Sequence, residues 1–359
     1  MRAGVRGLVP GWLLVLLGAV LLLAGCARPQ VFHRESYVFG TQVSVAVYGE
    51  DPAQADAAIG AVLREFDRLH RAYHAWEPSE LTTLNAAIAR GETATVSDEL
   101  AAMLADAQRL AAAGDELFDP ALGSLIELWG FHTDTFVPRL PDPAKLQALI
   151  AAKPRMADLV IDGNRVASRN RAVQLDLGGY AKGYALDRAA AILRQQGIAS
   201  ALINISGNIL AIGTKGGQPW RIGIQDPRPG QPPIATLPLY DGEAIGTSGD
   251  YQRFFEVDGR RYSHLLDPRT GEPAHGTHSL TVLVTPASIT GAMAQESVGT
   301  LSDAASKPAF IAGDDWRAMT RRFKVEHALR VAEDGSVEVT KALRARLQFS
   351  GDTKAAVVD

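Results

Sequence analysis

The patterning of this chain predicts an α+β fold, mainly antiparallel sheets with covering helices. Two features point there. Short apolar and β-branched runs are paired across turn dipeptides, as in "ADLVIDGNRVAS" around an Asp-Gly-Asn turn and "HALRVAEDGSVEVT" around Asp334-Gly335. Helical spacing is confined to a few stretches, so strands joined by hairpins outnumber the helices that cover them. The sequence has no internal repeat, low-complexity tract or heptad run.

The 359 residues are 47% apolar and 21% charged, an ordinary globular composition long enough for one large or two modest domains. The net charge of −4 argues against a nucleic-acid partner or a polybasic membrane-binding surface. Residues 1–25 read as a secretory signal: Arg2 and Arg6, an apolar run from Trp12 to Leu23, then small residues. Cys26 is the only cysteine, which excludes an intramolecular disulfide. "LAGC" resembles the bacterial lipobox, whose cysteine is lipidated. The other reading is a short membrane anchor with an incidental cysteine. The lipobox reading places the mature chain, residues 26–359, in the cell envelope, tethered to a membrane and facing the periplasm.

Residues 31–49 predict a strand broken at Gly40, with Val43, Val45 and Val47 alternating after the break. Asp51-Pro52 opens a helix in which Ile59, Val62, Phe66, Leu69 and Tyr73 recur at helical spacing. "SDEL" from Ser97 starts another, with a Ser cap and acids in its first turn. "DELFDPALGSLIELWGF" predicts a loop running into a short apolar helix, and the Pro-punctuated residues 132–155 a surface connection. "RAVQLDL" is expected as a strand. After Gly179 a helix carries Ala181, Ala185, Ala189 and Ile192 on one face and ends at Gly197; such small side chains let it lie close on a sheet. "SALINISGNILAIG", "WRIGIQDP" and the segments flanking "AIGTSGDYQRFFEVDGRRYSHLLDPRTGEPA" are further strands.

The start of the helix after Gly179 is unusual. In "LDLGGYAKGYALD", Lys182 places a cation in the first helical turn, against the macrodipole, at a cost of about 0.3–1 kcal/mol. Either an anion sits there or the lysine points into water. Other polar, Gly-rich stretches fall at element junctions in the second half: "NISGN", "TSGDY", "SHLLDPRTG" and "SDAAS". Each alone is a weak signal, since any Gly-rich turn gives such a string.

Together and in this order, from Phe39-Gly40-Thr41 to the C-terminal hairpin, these motifs closely resemble the ApbE-type FAD:protein FMN transferases. "SHLLDPRTG" following "TSGDY" is the most specific part. "YHAWEPSEL" is similar to a subgroup associated with nitrous-oxide reductase maturation. The resemblance implies an FAD cleft between two lobes. It also implies transfer of FMN from FAD, by a phosphoester bond, to a Thr or Ser of an exported subunit of a membrane electron-transfer complex, with release of AMP. A non-catalytic FAD-binding lipoprotein and an FAD pyrophosphatase are the competing readings.

The resemblance also assigns residues. Asp176 and Lys182 touch FAD; Phe39, which replaces a frequent methionine, lines the nucleotide with Leu117, Phe118, Asp119 and Leu265. Gly179, through its carbonyl, and Asp303 hold Mg²⁺. On chemical grounds the helix start over Gly178-Gly179 is an anion site to which Lys182 adds a full charge. His264 is the candidate general base, titratable near neutrality, with Asp267 placed to orient a neighbour or the loop. The other reading of His264 is a residue that fixes the "HLLDP" turn. Thr247, Ser248 and Gly249 offer hydroxyls and N–H groups to phosphate or ribose, although a plain tight turn explains them nearly as well.

One motif departs from the family. Its metal segment, Ala-Asp-Ala-x-x-Thr-Ala, should follow the strand "HSLTVLVTPAS", yet "ITGAMAQESVG" contains no Asp. "SDAASKPAFIAG" matches after an insertion of about ten residues, with Asp303 as the acid and Lys307 in place of the metal-binding Thr. An ammonium cannot ligate Mg²⁺, and a lysine four residues along a helix from Asp303 is expected to pair with it. Pro308 deletes a backbone bond in that helix.

Overall fold

The computed structural model describes residues 30–133 and 135–359. Residues 1–29, with the signal segment and Cys26, lie outside the described residues. Among the described residues no helix is long and apolar enough to cross a membrane.

A nine-stranded sheet organises the chain. Its strands run in the order Val31–Val38, Thr41–Tyr48, Ala201–Ile205, Asn208–Ile212, Ala244–Gly249, Thr277–Val284, His327–Ala332, Val337–Thr340 and Ala355–Val358. Every pairing is antiparallel except the last, which is parallel. The break expected at Gly40 is a two-residue turn. Val38 pairs with Thr41, and Phe39 and Gly40 both take positive φ, 58° and 66°. That is the primed hairpin geometry that matches strand twist; it is costly for a residue with a side chain.

Alternation along the strands buries both faces. Val43, Val45 and Val47, with Leu280, Val282 and Val284, face a core covered by the helices Pro52–Ala72, Asp98–Ala113, Ala181–Gln195 and Val298–Ile311. Ala46, Ile209, Ala211 and Leu283 face the opposite way, onto a small sheet whose strands Trp220–Ile224 and Ala235–Leu239 supply Trp220, Ile222 and Leu237. A third cluster joins Leu125 and Trp129 of the helix Gly123–Trp129 to Phe255 and Tyr262 of the hairpin Phe254–Val257/Arg260–Ser263.

Two elements differ from the sequence expectation. Residues 132–155 are not simply a connection: Pro143–Ala152 is a helix, begun by Asp142 Oδ1 accepting from the N–H groups of Ala144 and Lys145 at 2.8 and 3.3 Å. A proline at the first helical position starts a helix instead of breaking one. "RAVQLDL" forms no strand beyond a single parallel bridge from Gln174 to Leu122. The Asn85 side chain takes the place of a neighbouring strand, donating to the Leu175 carbonyl at 2.9 Å and accepting from the Leu175 N–H at 2.8 Å. Such a long-range side-chain partner leaves no local pattern.

Candidate active site

Two cavities, of about 600 Å³ and 380 Å³, meet in the molecule, each within the range of small-ligand sites. The larger is polar and is lined from the sheet by Asn204, Asn208's neighbours Gly207 and Ile209, Thr247 and Ser248, and by Tyr251. The smaller is walled by Trp76, Leu117, Phe118, Phe131 and His132, with Asp119 and Asp176 at its edge. Phe39, Lys182, Arg253, His264, Leu265 and Lys307 line both, so three cations and one imidazole stand at the junction.

Lys182 occupies the first turn of the helix Ala181–Gln195 and turns back, Nζ donating to the Gly178 carbonyl at 3.3 Å. Burial lowers its pKa; Asp303 and Asp176 pull upward, Lys307 and Arg253 downward. The helix start itself differs from the open anion site expected. The Gly178 N–H is held by Asp176 Oδ1 at 2.7 Å and the Gly183 N–H by Asp303 Oδ2 at 2.8 Å. Carboxylates of the chain already use those two donors, as a dipole's positive end favours. The basic side chains at the junction are Lys182, Lys307 and Arg253, whose guanidinium donates to the Phe131 and Thr133 carbonyls at 3.1 and 3.3 Å.

His264 enters this cluster from the segment after the strand Arg260–Ser263. Its Nδ1 lies 3.2 Å from the Arg253 carbonyl. A carbonyl only accepts, so Nδ1 carries the hydrogen and Nε2 keeps a lone pair. Burial, then Arg253 and Lys182, hold its pKa at about 3, against an ordinary 6.5. The ring is neutral across the physiological range and packs edge-on to Phe131 at 6.4 Å between centroids. Asp267 lies elsewhere. It lines neither cavity; its carboxylate accepts from the Arg269 N–H and guanidinium at 2.9 and 2.7 Å, and its carbonyl accepts from Gly271 N–H at 2.7 Å. It fixes the "DPRTG" turn, one of the two roles its sequence position allowed, and the catalytic role does not follow from its position.

Asp176 Oδ2 accepts from the Trp76 indole at 3.1 Å, which ties the "HAWEP" loop to the cavity edge. Trp76 in turn stands 5.4 Å from the His132 ring. Asp119 accepts from the N–H groups of Ala121 and Met156 at 2.9 and 3.0 Å; burial outweighs those bonds and raises its pKa to about 7. Phe39 rests against Phe66 and His70, each at 5.8 Å between centroids. Its left-handed backbone is the kind of local strain that collects at functional sites. Thr247 is pinned by Asn208, whose Oδ1 takes the Thr247 N–H at 3.1 Å, and shares a 2.9 Å hydroxyl contact with Thr281. The Ser248 hydroxyl is committed to Ser306 at 2.8 Å.

The pairing expected of Lys307 is present. It is an ion pair with Asp303 Oδ1, one helical turn away, and Nζ also donates to the Asp303 carbonyl at 2.8 Å. The side chains are 13% and 2% exposed. A Cβ built on Gly179 would meet the Lys307 Cε at 3.0 Å, so the lysine stem lies directly over that backbone. The set therefore does not fit a divalent ion. One Asp303 oxygen is taken by an ammonium, the other by an N–H group, and the stem fills the space beside Gly179. The helix Val298–Ile311 continues through Pro308.

Sequence reasoning missed Arg253 and Trp76. Arg253 directly follows "TSGDYQ", and Trp76 sits inside "YHAWEPSEL", so position beside a recognised motif was the available signal.

The comparisons with known proteins agree with this architecture. The model of the ApbE family matches residues 39–329. A Rhodobacter capsulatus protein named FAD:protein FMN transferase is 42% identical over 336 residues, 93% of this chain and 61% of that one; the chain thus spans less than two thirds of that relative. A Vibrio cholerae protein of the same name is 34% identical, covering 75% of this chain and 82% of its own. The crystal structure of the ApbE protein of Thermotoga maritima superposes with a TM-score of 0.79 at 32% identity, over 88% of this chain and 99% of the other. With the family model matched over most of its length, the chain belongs to the ApbE family.

Proposed function

We propose that this chain is an FAD:protein FMN transferase that attaches FMN to a Thr or Ser hydroxyl of another protein and releases AMP. The observation that supports it best is the junction: Lys182, Arg253, Lys307 and a neutral His264 gathered where a polar and an aromatic cavity meet. FAD has that shape, two flat ring systems separated by a pyrophosphate. In this reading the rings occupy the two cavities and the pyrophosphate lies among the cations.

The chemistry then needs position and charge more than covalent help. The acceptor hydroxyl oxygen attacks the phosphorus of the FMN half, and the bond from that phosphorus to the bridging oxygen breaks. AMP leaves with the bridging oxygen, and the hydroxyl proton passes to His264 Nε2. Arg253 fixes the imidazole tautomer through its carbonyl, while its guanidinium donates to the Phe131 and Thr133 carbonyls at 3.1 and 3.3 Å and adds positive charge beside the ring. Asp176, held by Trp76, orders the backbone at Gly178.

The family names found by comparison support the same activity. The cellular setting is a further part of the proposal. Residues 26–359 act as one transferase domain, lipidated at Cys26, facing the periplasm and serving an exported subunit of a membrane electron-transfer complex. The test is incubation with FAD and a secreted flavin-accepting domain, followed by denaturing electrophoresis and AMP chromatography. Protein-bound flavin fluorescence with equimolar AMP is expected. AMP without labelled acceptor would instead indicate a pyrophosphatase, and neither product a binding protein.

A further inference from the structure

We propose that the Lys307 ammonium stands where a divalent metal would activate the phosphate, so this chain binds and cleaves FAD without a bound metal ion. The inference rests on the transferase reading above. Three observations carry it.

First, its side chain is only 13% exposed yet lines both cavities. A surface lysine on an amphipathic helix would do neither. Second, its hydrogen bonds are only partly spent. An ammonium has three donors, and the Asp303 carboxylate and carbonyl use two. One remains for an oxygen at the junction. Third, each Asp303 oxygen already accepts, one from Lys307 and the other from the Gly183 N–H, so an incoming Mg²⁺ meets no carboxylate oxygen free of a donor. Mg²⁺ demands near-octahedral oxygen coordination and gives up its waters reluctantly, so it does not displace a buried ion pair to gain one ligand.

A buried ion pair is weak evidence for stability, because desolvation offsets much of the attraction. Its position at the junction therefore asks for a functional reason. In the step written above, the remaining Lys307 N–H bonds an oxygen of the pyrophosphate as charge builds on the bridging oxygen. Lys182 and Arg253 supply the net positive charge that a lysine already paired with Asp303 does not.

The experiment titrates FAD into the chain by calorimetry, in EDTA and in millimolar Mg²⁺, with Mn²⁺ electron paramagnetic resonance as a second readout. The wild type is expected to bind FAD equally in both buffers and to show no stoichiometric protein-bound Mn²⁺. Lys307→Thr, which restores an oxygen ligand, is expected to lose about tenfold in FAD affinity in EDTA, to recover it in Mg²⁺ and to bind Mn²⁺. Lys307→Met keeps the packing stem and is expected to lose affinity in both buffers; its thermal melting shows whether it is folded. Wild-type FAD binding that collapses in EDTA and returns with Mg²⁺ would overturn the inference. So would a folded Lys307→Met that binds FAD like the wild type. When a secreted flavin-accepting domain is added, AMP formation that requires Mg²⁺ overturns the inference and leaves the transferase reading standing. With that acceptor present, no AMP in either buffer removes the transferase reading itself.

Discussion

The Nδ1 of His264 lies 3.2 Å from the carbonyl of Arg253, and that one contact sets the chemistry of the ring. It fixes the tautomer and leaves Nε2 with its lone pair, in a ring whose pKa burial depresses first and the Arg253 and Lys182 charges next. A neutral ring among cations is a weak base until negative charge arrives. A bound pyrophosphate supplies that charge, so substrate raises the basicity of the group that must accept its partner's proton.

We therefore predict that His264→Ala binds FAD as the wild type does but transfers FMN about 10²–10⁴ times more slowly. The pH profiles give a sharper check. The acid limb of kcat/KM, which reports the free enzyme, should carry no His264 step near 6.5, and the limb in kcat should lie at higher pH than any His264 limb in kcat/KM. A step near 6.5 in kcat/KM that vanishes in His264→Gln would contradict the depressed pKa.

The same residue makes a stability prediction. His264 takes up a proton at about 6.5 when unfolded and only near 3 when folded. Below 6.5 the unfolded chain therefore binds a proton that the folded chain refuses. Stability falls as pH drops from 6.5 toward 3, and is unaffected by this group above 6.5. Thermal melting of His264→Gln should lose part of that acid sensitivity; an unchanged slope would show that other groups dominate.

Lys182 is expected to separate FAD from riboflavin. Lys182→Met should weaken FAD by about tenfold or more, in line with a lost hydrogen bond to a charged group, while riboflavin affinity stays unchanged. Calorimetry with both ligands measures it. Equal losses for the two would mean that Lys182 shapes the cavity and does not meet phosphate.

Much of this architecture was legible in the sequence, and the exceptions have physical causes. Val43, Val45 and Val47 announced a strand because alternation is local, and Asp51-Pro52 announced a helix because caps are local. "RAVQLDL" failed because its partners, the Asn85 side chain and the backbone of residues 120–123, are remote in sequence and form no regular ladder. The Lys307–Asp303 pair was visible as a helical spacing once the segment was aligned across its insertion. Arg253 and Trp76 were hidden because a cavity residue has no periodicity of its own.

Trp76 offers an optical test. Its indole holds Asp176 and lines the aromatic cavity, so FAD should quench its emission, and Trp76→Phe should remove most of the quench. The variant should also weaken FAD binding modestly, since Asp176 loses one donor. Quenching that persists in full would place the flavin nearer another tryptophan.

Gly183 governs how closely two helices meet. A Cβ there would fall 2.5 Å from the Gly299 carbonyl oxygen and 2.8 Å from Thr300 Cα, both backbone atoms. Gly183→Ala is therefore predicted to cost about 1–3 kcal/mol by overpacking and to displace Asp303, which its N–H now holds. Chemical denaturation measures the first effect; an unchanged midpoint would mean the helices separate freely.

The central claim is covalent transfer of FMN, and the intact mass of an acceptor protein after incubation with FAD tests it most directly. A mass increase of one FMN less one water, on a single Thr or Ser, is predicted, absent when the acceptor hydroxyl is removed. An acceptor of unchanged mass, after exposure to enzyme that has converted its FAD to FMN and AMP, would contradict it.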